Sequence, residues 1–165
     1  NDDIIIGTTA GYSVRFNESV VRSMGRVAAG VRGVKLRDED YVVGASTITD
    51  VQEVLVVTEK GYGKRTPAEE YPTKGRGGKG IKTANITDKN GALAGLVTVS
   101  GDEDVMLITN KGVVIRTNVS NISQTGRSTM GVRLMRLEEA SKLVTFALVE
   151  AETADEPAEV VDTED

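Results

Sequence analysis

The chain has 165 residues, with 20 Lys and Arg against 25 Asp and Glu, four Tyr, two Phe, and no Cys, His or Trp. That length supports one domain with a sizeable core, which must be aliphatic, and the missing residue types exclude disulfide frameworks, thiol catalysis and the common zinc and imidazole sites. The net charge of −5 is unevenly spread: residues 1–150 hold all 20 bases and 18 acids, whereas 151–165 hold seven acids and no base. Such an asymmetry suggests a nucleic-acid surface with an acidic appendage.

Residues 4–9 and 12–16 read as a strand pair turning at Ala10-Gly11. A loop over 17–30 carries Arg22 and Arg26, and residues 31–36 and 41–48 form a second pair around an acidic turn. The plan then recurs. Residues 54–58 and 62–66 turn at Gly61; a loop with Pro67, Pro72 and a Gly-rich basic run follows; 81–86 and 93–99 close the unit. A third copy runs through 105–109, 113–117, 132–137 and 143–149. The repeats are placed at about 3–50, 51–102 and 103–150, making one unit over 3–150. The acidic stretch 151–165 cannot bury enough apolar surface to fold and is expected to be disordered. It is either a solubilising end or a polyanion competing for the basic body. No apolar run approaches a membrane span, and no leader is visible. The chain begins just before a strand and reads as a piece of something longer.

The repeat is carried by phase. Gly11, Gly61 and Gly112 are each preceded three residues earlier by Thr and followed four residues later by Arg15, Arg65 and Arg116. Fourteen residues on come Gly25, Gly75 and Gly126, each followed by Arg26, Arg76 or Arg127. Then come Gly30, Gly80 and Gly131, each followed by a β-branched residue and a base: Arg32, Lys82 or Arg133. Units of about 50 residues with four short strands predict an all-β, propeller-type fold of three four-stranded blades. Bases recurring in phase would form a stripe along the blade edges, suited to backbone phosphates. The candidates are Arg15, Arg22, Arg26, Arg32, Lys64, Arg65, Lys74, Arg76, Lys79, Lys82, Arg116, Arg127 and Arg133. For Arg15, Arg65 and Arg116, set in strands, the competing expectation is pairing with an acid inside the blade. Tyr71, in phase with Val21 and Ile122, is expected to pin its loop to the core.

Other motifs fall away. Gly75, Gly77 and Gly80 match G-x-G-x-x-G, but the run follows a proline loop and opens a strand, the wrong setting for a dinucleotide site. Asp102-Glu103-Asp104 reads as a solvated turn, since no calcium-loop spacing follows. No catalytic constellation appears.

Several segments resemble the C-terminal domain of the DNA gyrase A subunit: Gly-Tyr-Gly-Lys-Arg-Thr at 61–66, Glu70-Tyr71-Pro72-Thr73-Lys74, Met24-Gly25-Arg26 with Gly30-Val31-Arg32-Gly33, and Ile122-Ser123 with Gly126-Arg127 and Gly131-Val132. The resemblance covers about residues 3–150. It implies the C-terminal half of a six-bladed β-pinwheel, a propeller-like disc whose neighbouring blades exchange strands. It also implies wrapping of duplex DNA, within a type IIA topoisomerase that supercoils DNA negatively at the expense of ATP. Lys74–Gly80 departs from the family's Gln-Arg-Arg-Gly-Gly-Arg/Lys-Gly box at Lys74 and Gly75, so it is similar to a later blade's loop and the box is expected upstream. The partners implied are duplex DNA, the B subunit of gyrase and the rest of the A subunit in an A2B2 assembly, in a bacterial cytoplasm on the chromosome. No cofactor is expected in this chain, because ATP and Mg2+ would serve other domains. The A subunit of topoisomerase IV is the related alternative. A propeller-type protein-interaction module, which would need an exposed apolar patch, is the alternative from another class.

Overall fold

The computed structural model describes residues 2–19, 36, 39–73, 80–138 and 140–150. Strands β1 (Asp3–Thr8), β2 (Tyr12–Asn17) and β3 (Val42–Ile48) belong to the first repeat. The second supplies β4 (Glu53–Thr58), β5 (Tyr62–Pro67), β6 (Ile81–Lys82) and β7 (Leu93–Val99). The third supplies β8 (Glu103–Thr109), β9 (Val114–Asn118), β10 (Val132–Arg133) and β11 (Leu143–Glu150). Single 3-10 turns at Ala68–Glu70 and Val119–Asn121 follow β5 and β9. The turn glycines Gly11, Gly61 and Gly112 all have positive φ, between 79° and 88°, a conformation that costs a side-chain-bearing residue stability.

The fold is all-β, in three small sheets ordered β3-β1-β2-β6, β10-β5-β4-β7 and β11-β8-β9. Each of the first two sheets is completed by the following repeat. β6 of repeat two lies on β2, pairing Tyr12 with Lys82 and Ser13 with Ile81. β10 of repeat three lies on β5, pairing Val132 with Gly63 and Arg133 with Tyr62. This is the exchange of strands between neighbouring blades that the resemblance implies. The third strand of repeats two and three serves its predecessor, and it is two residues long, not six. The reason is local: the chain leaves the ladder after Lys82 and Arg133 because the carbonyls of Gly11 and Gly61 capture the next amides, Thr83 and Leu134, each at 2.7 Å.

Two apolar layers separate the three sheets, and β4 feeds both. Successive residues of a strand point to opposite faces. Val54 and Val56 pack with Ile5, Ile48, Leu93 and Leu96 against the first blade. Leu55 and Val57 pack with Val105, Leu107, Val119 and Leu143 against the third. A strand buried on both faces reads as a continuous hydrophobic run, which is why 54–57 is Val-Leu-Val-Val. In the outer blades only one face is covered: Ile5 is buried while Ile4 and Ile6 are half-buried, and Val105 and Leu107 are buried while Met106 and Ile108 are not.

Blades meet closely where glycines remove side chains. A Cβ on Gly44 would stand 2.5 Å from the Leu96 carbonyl oxygen, and one on Gly95 would meet the Phe146 ring. Backbone cannot swing aside as a side-chain tip can. Gly44→Ala is therefore expected to destabilise the protein by about 1–3 kcal/mol, read as a lower urea midpoint. An unchanged midpoint would mean that the first two blades do not approach this closely.

Candidate nucleic-acid interface

Strands β3, β7 and β11 pack side by side, joining the blades at one end of each sheet. The transferred strands β6 and β10 lie at the opposite end of theirs. Lys82 and Arg133, the last residues of those strands, are both exposed at that outer edge. Arg133 lies over the Tyr62 ring at 5.5 Å and donates to its hydroxyl at 3.2 Å, which fixes the head of a long side chain while leaving it accessible. Arg127 bridges from the repeat-three loop to the Lys82 carbonyl at 2.9 Å, and its Nε is buried with no hydrogen-bond partner among the described residues.

The transferred strand also assembles a basic cleft. Lys60, from the β4–β5 turn, and Lys89, from the turn before β7, line with Arg133 and Arg136 a cavity of about 470 Å³ that also includes Tyr62 and, among the described residues, one acid, Glu138. Lys60 donates to the Asp88 carbonyl. Lys60, Lys89 and Arg136 were not among the candidates read from the sequence, because none of them recurs as a base in all three repeats. They meet only because repeat three lays its strand on repeat two.

Other candidates lie inside. Arg15 is 7% exposed; its guanidinium bonds Asp3 and Asp50 at 2.8 Å and reaches across the blade boundary to the carbonyls of Ala68 (2.9 Å) and Tyr71 (3.2 Å). Arg65 repeats this, bonding Glu53 at 3.0 Å and the Ile122 carbonyl at 2.7 Å. Arg116, by contrast exposed, bonds Asp104 at 2.8 Å and the Glu150 carbonyl at 3.0 Å. The acids share a phase too: Asp3, Glu53 and Asp104 each stand eight residues before the turn glycine. That signal was legible and marks the arginines as partners of an acid within the blade, internal for Arg15 and Arg65 and exposed for Arg116. Burial pushes the Asp3 carboxyl up, but hydrogen bonds from Asn17, Thr73 and Arg15 outweigh it and hold the pKa below the usual carboxylate range. Tyr71 and Ile122 are both buried, as expected of residues that pin their loops.

Lys64 is fully buried, and its ammonium donates to the carbonyls of Gly126, Arg127 and Thr129 at 2.7–2.8 Å. It ties the third loop to the second blade, and so does not face outward as a phosphate contact would. Burial pushes its pKa down to about 8; nearby Glu70 opposes the shift and Arg127 adds to it. Between about pH 8 and the ordinary lysine value of 10.5 the unfolded chain holds a proton that the native chain has lost. Stability from this group therefore rises with pH across that window, and below it the native state carries the full cost of the buried charge. Denaturation midpoints followed across that window should climb in the parent relative to Lys64→Met. Parallel curves would show that the amine titrates normally.

Arg22, Arg26, Arg32, Lys74, Arg76 and Lys79, and the acidic stretch 151–165, lie outside the described residues. Among the described residues no group of three or more His, Cys, Asp or Glu forms that could hold a metal. In the acidic run, Glu103 accepts the amides of Ser100, Gly101 and Asp102 at 2.9–3.1 Å, and so acts as a turn cap.

The family profile described as "DNA gyrase C-terminal domain, beta-propeller" matches residues 2–49, 52–100 and 103–150. The A subunit of DNA gyrase from Staphylococcus epidermidis (strain ATCC 12228 / FDA PCI 1200) is 53% identical over 154 residues, 92% of this chain and 17% of the relative. Its counterpart in Staphylococcus aureus (strain NCTC 8325 / PS 47) is 51% identical over 160 residues, 96% of this chain and 18% of the relative. The chain thus spans less than a fifth of these relatives' length. The crystal structure of the C-terminal domain of DNA topoisomerase IV superposes with a TM-score of 0.82 at 25% identity, over 90% of this chain and 47% of that one.

Proposed function

The chain belongs to the family of DNA gyrase C-terminal domains, and from that premise we propose that it binds duplex DNA along its outer blade edges and contributes to wrapping it. The observation that carries this reading is the placement of Lys82, Arg127 and Arg133 at the outer edge, beside the cleft of Lys60, Lys89 and Arg136. Bases at this edge meet backbone phosphates without reading sequence, because point charges follow the phosphate chain and not the base edges. The loop bases Arg22, Arg26, Arg32, Lys74, Arg76 and Lys79 extend the same track in this reading.

The chain acts as the DNA-handling part of the A-type polypeptide of a type IIA topoisomerase. The remainder of that polypeptide, with a B subunit in an A2B2 assembly, supplies strand passage and ATP turnover with Mg2+, and the product is negatively supercoiled DNA in a bacterial cytoplasm. No helix among the described residues is long and apolar enough to cross a membrane. The topoisomerase IV reading is favoured by one observation, the 0.82 superposition. The relatives above 50% identity are gyrase subunits, which favours the first.

The test is duplex-DNA binding over a salt series, with the full chain and with a version ending at Glu150. Binding should weaken linearly on a log–log plot and tighten when the seven acids of 151–165 are removed. Salt-independent binding, or none by either folded version, would overturn the proposal.

A further inference from the structure

The basic cleft beside the outer edge is not one of the repeated features. One repeat earlier, Lys60, Lys89, Arg133 and Arg136 correspond to Ala10, Glu39, Lys82 and Asn85. One base and one acid therefore stand where the later junction has four bases. The edge bases recur with the blades, whereas this cluster belongs to the junction of repeats two and three.

One turn holds its parts. The Lys60 amide donates to the Asn90 carbonyl at 3.0 Å, which ties the turn to the loop bearing Lys89. The Gly61 carbonyl accepts the Leu134 amide at 2.7 Å, between Arg133 and Arg136 in the chain. The Glu59 carbonyl accepts the Leu143 amide at 2.8 Å, just past the segment bearing Glu138 and Ser141. Bases from two repeats are thus fixed around a single cavity of about 470 Å³. Arg15, Arg65 and Arg116 each meet an acid. The bonds that hold the cleft bases go instead to neutral acceptors, Lys60 to the Asp88 carbonyl and Arg133 to the Tyr62 hydroxyl. All four bases are exposed.

Four like charges around one cavity oppose closure of the joint, and a multiply charged anion among them reverses that sign. The volume suits a small ligand. Arginine forks and lysine ammoniums match phosphoryl oxygens. Tyr62 is 6% exposed and Arg133 lies over its ring at 5.5 Å, so the ring offers little face to a nucleobase. We propose that the cleft is a polyphosphate site: it takes adjacent phosphoryl groups of one ligand and, when filled, locks the third blade to the second. This rests on the reading of the outer edge as a phosphate-binding surface, and phosphoryl oxygens are the chemistry that a DNA backbone and a free polyphosphate share.

The probe is inorganic pyrophosphate, added to the full chain at constant ionic strength. At about ten times its dissociation constant, Tm should rise by roughly 3–5 °C. Hydrogen exchange at the Leu134 and Leu143 amides should slow by up to about tenfold in the same samples. Lys89→Gln/Arg136→Gln should lose most of the rise in Tm. The charge-matched Lys111→Gln/Lys142→Gln, at exposed bases that do not line this cavity, should keep it. Glu138→Gln removes an acid from the lining and should tighten pyrophosphate about threefold. No rise in the parent, or a rise that Lys89→Gln/Arg136→Gln keeps in full, as an excluded salt would give, overturns the proposal. A second arm titrates pyrophosphate against bound duplex DNA. Displacement that weakens in Lys89→Gln/Arg136→Gln identifies the DNA backbone as a ligand of this cleft; a rise in Tm without displacement identifies free polyphosphate. If pyrophosphate has no effect while DNA binding keeps its salt dependence, the polyphosphate site falls and the outer-edge reading stands.

Discussion

Arg15→Ala is expected to lower the unfolding free energy by about 3–5 kcal/mol. For a chain of 165 residues, that is a fall in Tm of roughly 10 °C. The guanidinium connects four groups from two repeats: Asp3, Asp50 and the carbonyls of Ala68 and Tyr71. Alanine would leave Asp3, which is 15% exposed, without its counter-charge, and would remove the guanidinium donors from the Tyr71 carbonyl and from the Ala68 carbonyl, which keeps the Tyr71 amide. Removing one partner from a buried charged network costs more than the pair contributes, because the group left behind stays desolvated. Arg15→Lys should recover less than half of the loss, since a single ammonium cannot reproduce a planar fork with several directed donors. Thermal unfolding of the three proteins measures this. A change in Tm below about 2 °C for Arg15→Ala would show that the brace is not formed in solution.

The second large effect concerns DNA. Replacing Lys60, Lys89, Arg133 and Arg136 together by alanine should flatten the dependence of log affinity on log salt by about 3 to 4, close to 0.9 for each phosphate no longer neutralised. Arg133→Ala alone should remove about one such increment, uniformly across DNA sequences. Lys64→Met is the informative control. Its ammonium is buried against three carbonyls, so its removal should alter stability and leave the salt slope unchanged. A quadruple variant with the parental slope would place the DNA track elsewhere on the blades.

These two experiments separate bases that look equivalent in the sequence. Arg15 and Lys82 both recur in phase with a turn glycine. Yet one braces two blades from within and the other ends a strand at the outer edge. The acid eight residues before each glycine could have distinguished them, since a charge pair repeated in phase points to an internal brace. The basic cleft had no such sign, because Lys60 and Lys89 come from one repeat and Arg133 and Arg136 from the next.

The number of repeats, their all-β character, the turns and the buried loop anchor Tyr71 were all legible in the chain's residue pattern. Those features are local: glycines with positive φ, β-branched runs and a fixed phase specify short strands wherever the repeat is placed. Which blade each third strand completes, which face of β4 meets which neighbour and which bases point outward were set by packing. Those outcomes depend on contacts between residues some fifty positions apart or more, where the Gly11 and Gly61 carbonyls capture amides of the following repeat. The pattern within any one repeat fits a blade closed on itself equally well, and only packing one repeat against the next selects the exchange.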